Sequence, residues 1–351
     1  MDIQKILEHA VETNVSDAFM IAGLPISYRK NGAICQETEQ KLLPADTESM
    51  ITELYALANN RSMDVLLETG DDDFSFSIKG LSRFRVSAFK QRGSLSAVIR
   101  IIRFELPDYK ELHFPENIMN LANERKGLVL VTGSAGSGKS TTLACIIDKI
   151  NHSRKSHVIT LEDPLEFLHR HNQSIVTQRE IQADSESYVK ALRAALRQSP
   201  DIILLGEMRD YETIEVAMTA AETGHLIFST LHTIGAANTI ERIIDVFPAN
   251  QQRQIAVQLA MVLNAVVSQQ LVPTVDGQMI PVFEYMTVTP AIRTMIRDNK
   301  VHQIDGALYA SSKEDMLSMD TSLYRLYKEG IITKETALTY ATNPEMLSKK
   351  L

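Results

Sequence analysis

The stretch GLVLVTGSAGSGKSTTLACIIDKI (127–150) decides the fold. It opens on a short apolar run, passes through GSAGSGKS (133–140) and continues in a helical pattern. That is G-x-x-x-x-G-K-[ST] in the strand–loop–helix context the motif requires. Gly133, Gly136 and Gly138 let backbone N–H groups wrap around phosphate oxygens without Cβ clashes. The helix beginning near Lys139 points its positive end at the anion. Lys139 supplies a point charge to the β- and γ-phosphates, and the Ser140 hydroxyl can ligate Mg2+. Ser134 and Ala135 are small and contribute mainly backbone N–H groups; Ser137 and Thr141 belong to the same binding loop. A glycine-rich turn ending in Lys-Ser by chance would not carry every fixed position and both flanks. The chain is expected to bind a nucleoside triphosphate with Mg2+.

Downstream, the short apolar runs HVITL, DIILL and HLIFSTL alternate with helical segments, the mark of a parallel sheet covered on both faces. From about 250 the pattern turns mostly helical, over 250–271, 290–299 and 318–342, with one short strand at PVFEYM. Upstream, FELPDYKELHFPEN (104–117) holds Pro107 and Pro115 without periodicity and is expected to be a linker. Before it, Ile3, Ile6, Leu7, Ala10 and Val11 share one helical face, and Asn31-Gly32 signals a hairpin between ISYRK and AIC. Residues 46–68 read as one or two helices, 71–73 as an acidic turn, and RFRVSAFK and LSAVIRIIR as strands around a turn at Gly93. The expected class is α/β, with an α+β domain at 1–103, a linker at 104–117 and a P-loop domain at 118–351.

At 351 residues the chain has room for two domains, and 44% hydrophobic residues suffice for a core in each. Its net charge of −8 argues against a general polyanion-binding surface. Cys35 and Cys145 lie far apart, which excludes a tetracysteine zinc site and fits a reducing compartment. The first residues, MDIQKILEHAVETNVSD, carry charges within their apolar periods, unlike a signal peptide. No run approaches the ~18 apolar residues of a bilayer span. A soluble, cytoplasmic protein is expected, reaching a membrane only through a partner.

Two more strand ends carry acids: Glu162, Asp163 and Glu166 in HVITLEDPLEFLH, and Glu207 in DIILLGEMRD. Ligands of open α/β sheets sit at the carboxyl ends of the strands, so both clusters should face the phosphate loop. Hydrolysis needs one carboxylate to polarise the attacking water and another to hold Mg2+. Spacing alone leaves open which of Glu162, Asp163 and Glu166 serves the water. His225 and His232 bracket the strand in ETGHLIFSTLHT and read as a phosphate sensor or an intersubunit contact.

The ordered set GSAGSGKSTT, ITLEDPLEFLH, SPDIILLGEMRD and TGHLIFSTLHT resembles the secretion and type IV pilus ATPase superfamily. SRFRVSAFKQRGSLSAVIR, IERIIDVFPANQQ and PAIRTMIRDNKVHQI look specifically like its pilus retraction ATPases. The resemblance implies a homohexamer with a PAS-like N-terminal domain and a RecA-like ATPase domain, binding ATP between them. It matches Lys139 and Ser140 to the Walker A lysine and Mg2+-ligating serine, Glu166 to the catalytic glutamate, and Glu207 to the Walker B glutamate. It matches His225 and His232 to the two His-box histidines. It implies that N-terminal arginines, here among Arg83, Arg85, Arg92 and Arg100, reach toward the nucleotide. Two departures are the Ser134-Ala135 pair in place of Pro-Thr, and the loose agreement of DGALYASSKEDMLS (305–318).

The expected function is an ATP-hydrolysing motor for pilus retraction and twitching motility. It would act at the cytoplasmic face of the inner membrane on a platform protein, beside a paralogous retraction ATPase. Extension ATPases of the superfamily are longer and carry a tetracysteine motif, which this chain lacks. An accessory retraction ATPase is the alternative. A hexameric nucleic-acid translocase shares the core, but the acidic balance and the lack of a basic–aromatic stretch argue against it.

Overall fold

The computed structural model of the chain describes residues 2–30, 33–102, 106–311 and 316–351. The chain divides into two compact units: Met1–Glu105 with Glu166–Leu168, and Leu106–Leu165 with His169–Leu351.

The first unit runs α1 (Ile3–Glu12), β1 (Asp17–Met20), β2 (Pro25–Lys30), β3 (Ala33–Lys41), α2 (Pro44–Leu57), α3 (Asp64–Thr69), β4 (Asp71–Ile78), β5 (Ser82–Gln91) and β6 (Ser94–Ile102). Its six strands pair antiparallel in the order β3-β2-β1-β6-β5-β4. Alternation sends Phe74, Phe76, Phe84, Val86 and Ile99 inward, where Leu7, Ile51, Leu54 and Tyr55 of the helices meet them. Asp2 caps α1 by accepting from the amides of Gln4 and Lys5. The Asn31-Gly32 hairpin signal lies outside the described residues.

The acidic triplet 71–73 is not a turn but the start of β4. Alternation turns Asp72 inward, 6% exposed, between the exposed Asp71 and Asp73. Asp72 is tolerated there because Tyr55 Oη donates to it at 2.8 Å and Arg61 grips it at 3.0 and 2.9 Å.

The second unit runs α4 (Glu116–Met119), β7 (Gly127–Thr132), α5 (Lys139–Ser153), β8 (His157–Glu162), β9 (Ile175–Glu180), α6 (Tyr188–Ala195), β10 (Ile202–Leu205), α7 (Tyr211–Glu222), β11 (Leu226–Leu231), α8 (Ala236–Asp245), α9 (Ala249–Val262), β12 (Leu263–Pro273), β13 (Met279–Thr287), α10 (Pro290–Arg297), α11 (Ile304–Ala310), β14 (Met316–Leu317), α12 (Met319–Lys328), α13 (Lys334–Thr339) and α14 (Pro344–Ser348). Its sheet has the order β14-β13-β12-β7-β11-β10-β8-β9. From β12 to β9 every pairing is parallel, while β13 and β14 add antiparallel. The apolar runs are buried on both faces. Leu128, Leu130, Ile203 and Ile227 pack toward α7, α8 and α9. Val129, Val131, Ile202 and Phe228 pack toward Ile146, Ile147 and Ile150 of α5. Each such side chain contributes about 1.5–3 kcal/mol by leaving water. Residues 106–115 lie on this second core, with Phe114 edge-on to Phe283 at 5.2 Å and Tyr109 and Leu112 beside it.

The helix expected over 250–271 ends at Val262. Leu263–Pro273 is a strand instead, inserted between β7 and β13. The β-branched pair Val266-Val267 fits that slot, and pairing on both sides outweighs the helical pattern that α9 sets up. PVFEYM is correspondingly the middle of the nine-residue β13. The helical stretch 318–342 is α12 and α13, interrupted where Gly330 adopts φ +73°.

Candidate functional site

The glycine-rich loop joins the end of β7 to α5. Glycine is required at two of its positions for steric reasons. A Cβ on Gly133, at φ +143°, would overlap the carbonyl oxygen of Gln269 and lie 2.7 Å from Ser137 Oγ. One on Gly138, at φ +88°, would lie 2.9 Å from Gln269 Nε2. Ser134, Ala135 and Gly136 are exposed, while Ser137 is 2% and Lys139 8% exposed. Lys139 Nζ donates to the carbonyls of Gly133 at 2.8 Å and Ser134 at 2.9 Å, so the ammonium is held against the loop. Ser140 and Thr141 follow in the first turn of α5, half-buried. Ser137 Oγ is buried with no hydrogen-bond partner among the described residues. An orphaned hydroxyl in a loop that no Cβ could share fits an anion that brings its own oxygens.

The parallel register sets Thr132 beside Leu231, and Ser229, two residues earlier on the same strand, beside Leu205 and then Leu161, so the carboxyl ends of these strands lie at one edge of the sheet. Glu162 ends β8 there, and Glu207 follows β10 by two residues. The Glu207 carboxylate pairs with Arg209 Nε at 2.6 Å and with His232 Nε2 at 3.3 Å. Its side chain is only 14% exposed, whereas His232 is 53% exposed. The carboxylate is thus fixed by a cation on one side and an imidazole open to solvent on the other. Lys139, bonded to the Gly133 carbonyl just past β7, and the Glu207–His232 pair past β10 and β11 thus lie at the carboxyl ends of neighbouring strands.

His225 is not at that edge. It precedes β11, its carbonyl accepts from Gly127 N at 3.0 Å, and its Nδ1 lies 3.0 Å from the Ala220 carbonyl. The six residues of β11 separate it from His232 by about 20 Å. His225 therefore lies at the end of β11 away from the glycine-rich loop, the two histidines bracketing the strand. Instead it shares an open polar cleft of about 750 Å³ with Arg125, Arg154, Lys155 and Asp201. Glu166 is exposed and is grouped with Phe167 and Leu168 in the first unit.

Of the four arginines, three form a set. Arg83 and Arg85 alternate with the buried Phe84 and Val86 of β5 and so share its outer face. Arg100 sits opposite Arg85, and next to it stands Asp17, itself opposite Arg29. Asp17 accepts from Arg100 Nε at 3.1 Å and pairs with Arg29 Nε at 3.5 Å. Arg92 stands apart. With Gly93 it forms the two-residue β5–β6 turn, at φ +51° and +80°, about 20 Å along the strand from Arg85.

Three residues near the loop were not singled out from sequence. Arg209 lay inside a motif already quoted. Gln269 was hidden by the helical reading of its segment. Tyr188 carries no motif: its hydroxyl would lie 2.7 Å from a Cβ on Gly206. Burial, and then the charges of Glu207, Asp163 and Glu162, push the ionisation of that phenol well up, so it stays a neutral donor.

Among the described residues no group of three or more His, Cys, Asp or Glu side chains could cage a metal ion. Mg2+ needs none, since it keeps waters and is held by one or two protein oxygens with substrate phosphates. The Ser140 hydroxyl and the Glu207 carboxylate are hard donors of the kind it takes.

The family model described as "Type II/IV secretion system protein" matches residues 1–324. Over 345 residues, 98% of this chain and 99% of the relative, it is 41% identical to the type IV pilus retractation ATPase PilT of Pseudomonas aeruginosa. It is 40% identical over 342 residues to the type IV pilus ATPase PilU of the same organism, covering 97% of this chain and 89% of that one. Among solved structures, the pilus retraction motor PilT with bound ADP superposes with a TM-score of 0.92, at 42% identity and 99% coverage of both chains. The ATPase DotB of Legionella pneumophila superposes at 0.78 with 28% identity, covering 95% of this chain and 94% of that one.

Proposed function

The chain belongs to the type II/IV secretion system protein family and is an ATPase with that family's N-terminal and RecA-like units, and from this premise we propose that it is the motor of type IV pilus retraction. The observation that carries the ATPase chemistry is the convergence of the glycine-rich loop, Lys139, Glu207 and His232 on one sheet edge. The likeness to PilT along nearly the whole of both chains carries the link to retraction.

In this reading the loop amides and Lys139 neutralise the triphosphate of ATP. Mg2+, held by Ser140 with Glu207 next to it, would draw charge from the β- and γ-oxygens. Glu166 takes the role of polarising the attacking water. Glu207 also holds His232, which reports on the γ-phosphate through that shared carboxylate. Arg83, Arg85 and Arg100 are the N-terminal cations assigned to the nucleotide, because a planar guanidinium pairs phosphate oxygens bidentately.

The motor is assigned six copies, a platform protein at the cytoplasmic face of the membrane as its load, and a paralogous ATPase as helper. Among the described residues no helix is long and apolar enough to cross a membrane. Similar identities to PilT and PilU support a second reading, that of an accessory retraction ATPase.

Twitching motility and piliation in cells lacking the gene test this. Complementation uses wild type or Glu207→Ala. Hyperpiliated, non-motile cells rescued only by wild type are expected. Bald cells would make the chain an assembly ATPase, and unaffected pili would remove it from the system. Hyperpiliated cells that regain motility with Glu207→Ala would favour the accessory role.

A further inference from the structure

The glycine-rich loop rests on a residue from a distant strand. Gln269, in β12, is 1% exposed. Its Oε1 accepts the hydroxyl hydrogen of Thr142 at 2.7 Å, across 127 residues of sequence. Thr142 is fully buried in the first turns of α5, and its Oγ1 also lies 3.3 Å from the Gly138 carbonyl. On the other side of the same amide, Gln269 Nε2 fills the space in which a Gly138 side chain would begin. The Gln269 carbonyl does the same at Gly133. One residue therefore touches the first glycine of the loop, the last, and the helix that follows. The next residue back, Ser268, accepts from Gly235 N at 2.9 Å and so holds the start of α8, three residues beyond His232.

A buried amide costs free energy unless its polar atoms are used. Here the amide oxygen is used on Thr142, in the helix that follows the loop, and not on the strand's own neighbours. We propose that Gln269 is a positioning residue that pre-shapes the glycine-rich loop for the phosphates of ATP, acting through Thr142 and the backbone at Gly138. It rests on the reading of that loop as the ATP site. A loop already shaped loses less entropy when it closes on phosphate, so the benefit belongs to binding and only weakly to the chemical step.

The test compares Gln269→Met, Thr142→Val and the double variant with wild type. It uses direct binding of Mg·ATP, steady-state hydrolysis and thermal melting of the full chain. Each single variant is expected to weaken ATP binding and raise KM about tenfold, the scale of one lost buried hydrogen bond, with kcat within about twofold. The double variant should be no worse than either single one, because both remove the same contact. Thr142→Ser keeps the hydroxyl and should keep wild-type affinity, which preserves the test even if Gln269→Met fails to fold. Unchanged affinity in Thr142→Val, additive losses in the double variant, or a fall in kcat at constant KM would each overturn the proposal. Wild-type protein that binds ATP but does not hydrolyse it would sink the motor reading alone, since the affinity comparison still stands. Wild-type protein that binds no ATP would sink both.

Discussion

Lys139 is the residue on which the chemistry turns. The residue is 8% exposed and its ammonium is already pinned to two loop carbonyls, so its position is set by the fold. Lys139→Ala should abolish ATP hydrolysis in a phosphate-release assay while leaving the melting temperature within a few degrees; retained turnover would remove the loop from the mechanism. Glu207→Gln keeps the shape but gives up the charge that holds Arg209 and His232. It should retain ATP binding and lose at least about 100-fold in turnover, the usual scale for a positioned acid or base. A third residue reports on pH. Burial lowers the pKa of His169 to about 4, and its Nδ1 has no partner among the described residues. Protonation therefore favours the unfolded chain. Stability is full above the unfolded value of about 6.5 and falls as pH drops from there toward 4, by up to about 3 kcal/mol. Denaturant melts at pH 7 and pH 4.5 should show that loss, and His169→Gln should shrink it. The glycines and Lys139 were legible in the sequence because few other residues could serve there. Tyr188 was not, since it reaches the carboxylates by tertiary packing alone.

At the scale of elements, β12 was the strand that periodicity misjudged. Its alternation is blurred because both faces are buried and both edges paired, and the helix α9 runs straight into it. The parallel strands β7, β8, β10 and β11 were legible because each is a short apolar run, and β7, β10 and β11 lead straight into a helix. His225 and His232 lie at opposite ends of β11, as their bracketing of that apolar run predicts, and it is His232 that meets Glu207. Behind β12, Glu284 of β13 ties two helices together, accepting from Ala236 N of α8 at 2.8 Å and Met319 N of α12 at 3.4 Å. Burial pushes its carboxyl pKa up. Glu284→Ala leaves two buried amides unpaired and should cost about 2–4 kcal/mol in chemical denaturation, with Glu284→Gln recovering most of it. Equal losses for the two variants would mean that side-chain volume and not hydrogen bonding matters there.

At the scale of the molecule, six copies working as one motor should behave as one. Light scattering of the wild-type protein with ATP should give the mass of a hexamer. Mixing in Lys139→Ala subunits should then depress hydrolysis more steeply than their fraction; a strictly proportional loss would mean that the copies turn over independently. The division into two units was visible in sequence as a change of rhythm, from alternating strands before 103 to apolar runs with helices after 127. The contact between Thr142 and Gln269 also bears on how the protein is made. A ribosome adding about 5–20 residues per second emits the second of these roughly 6–25 s after the first. Until then Gly133 and Gly138 have nothing to lean on, and β7 lacks its neighbour β12. The nucleotide site thus waits for β12, which emerges ahead of β13 and of the helices α10 to α14. A nascent chain therefore carries the glycine-rich loop without its support until β12 has been synthesised.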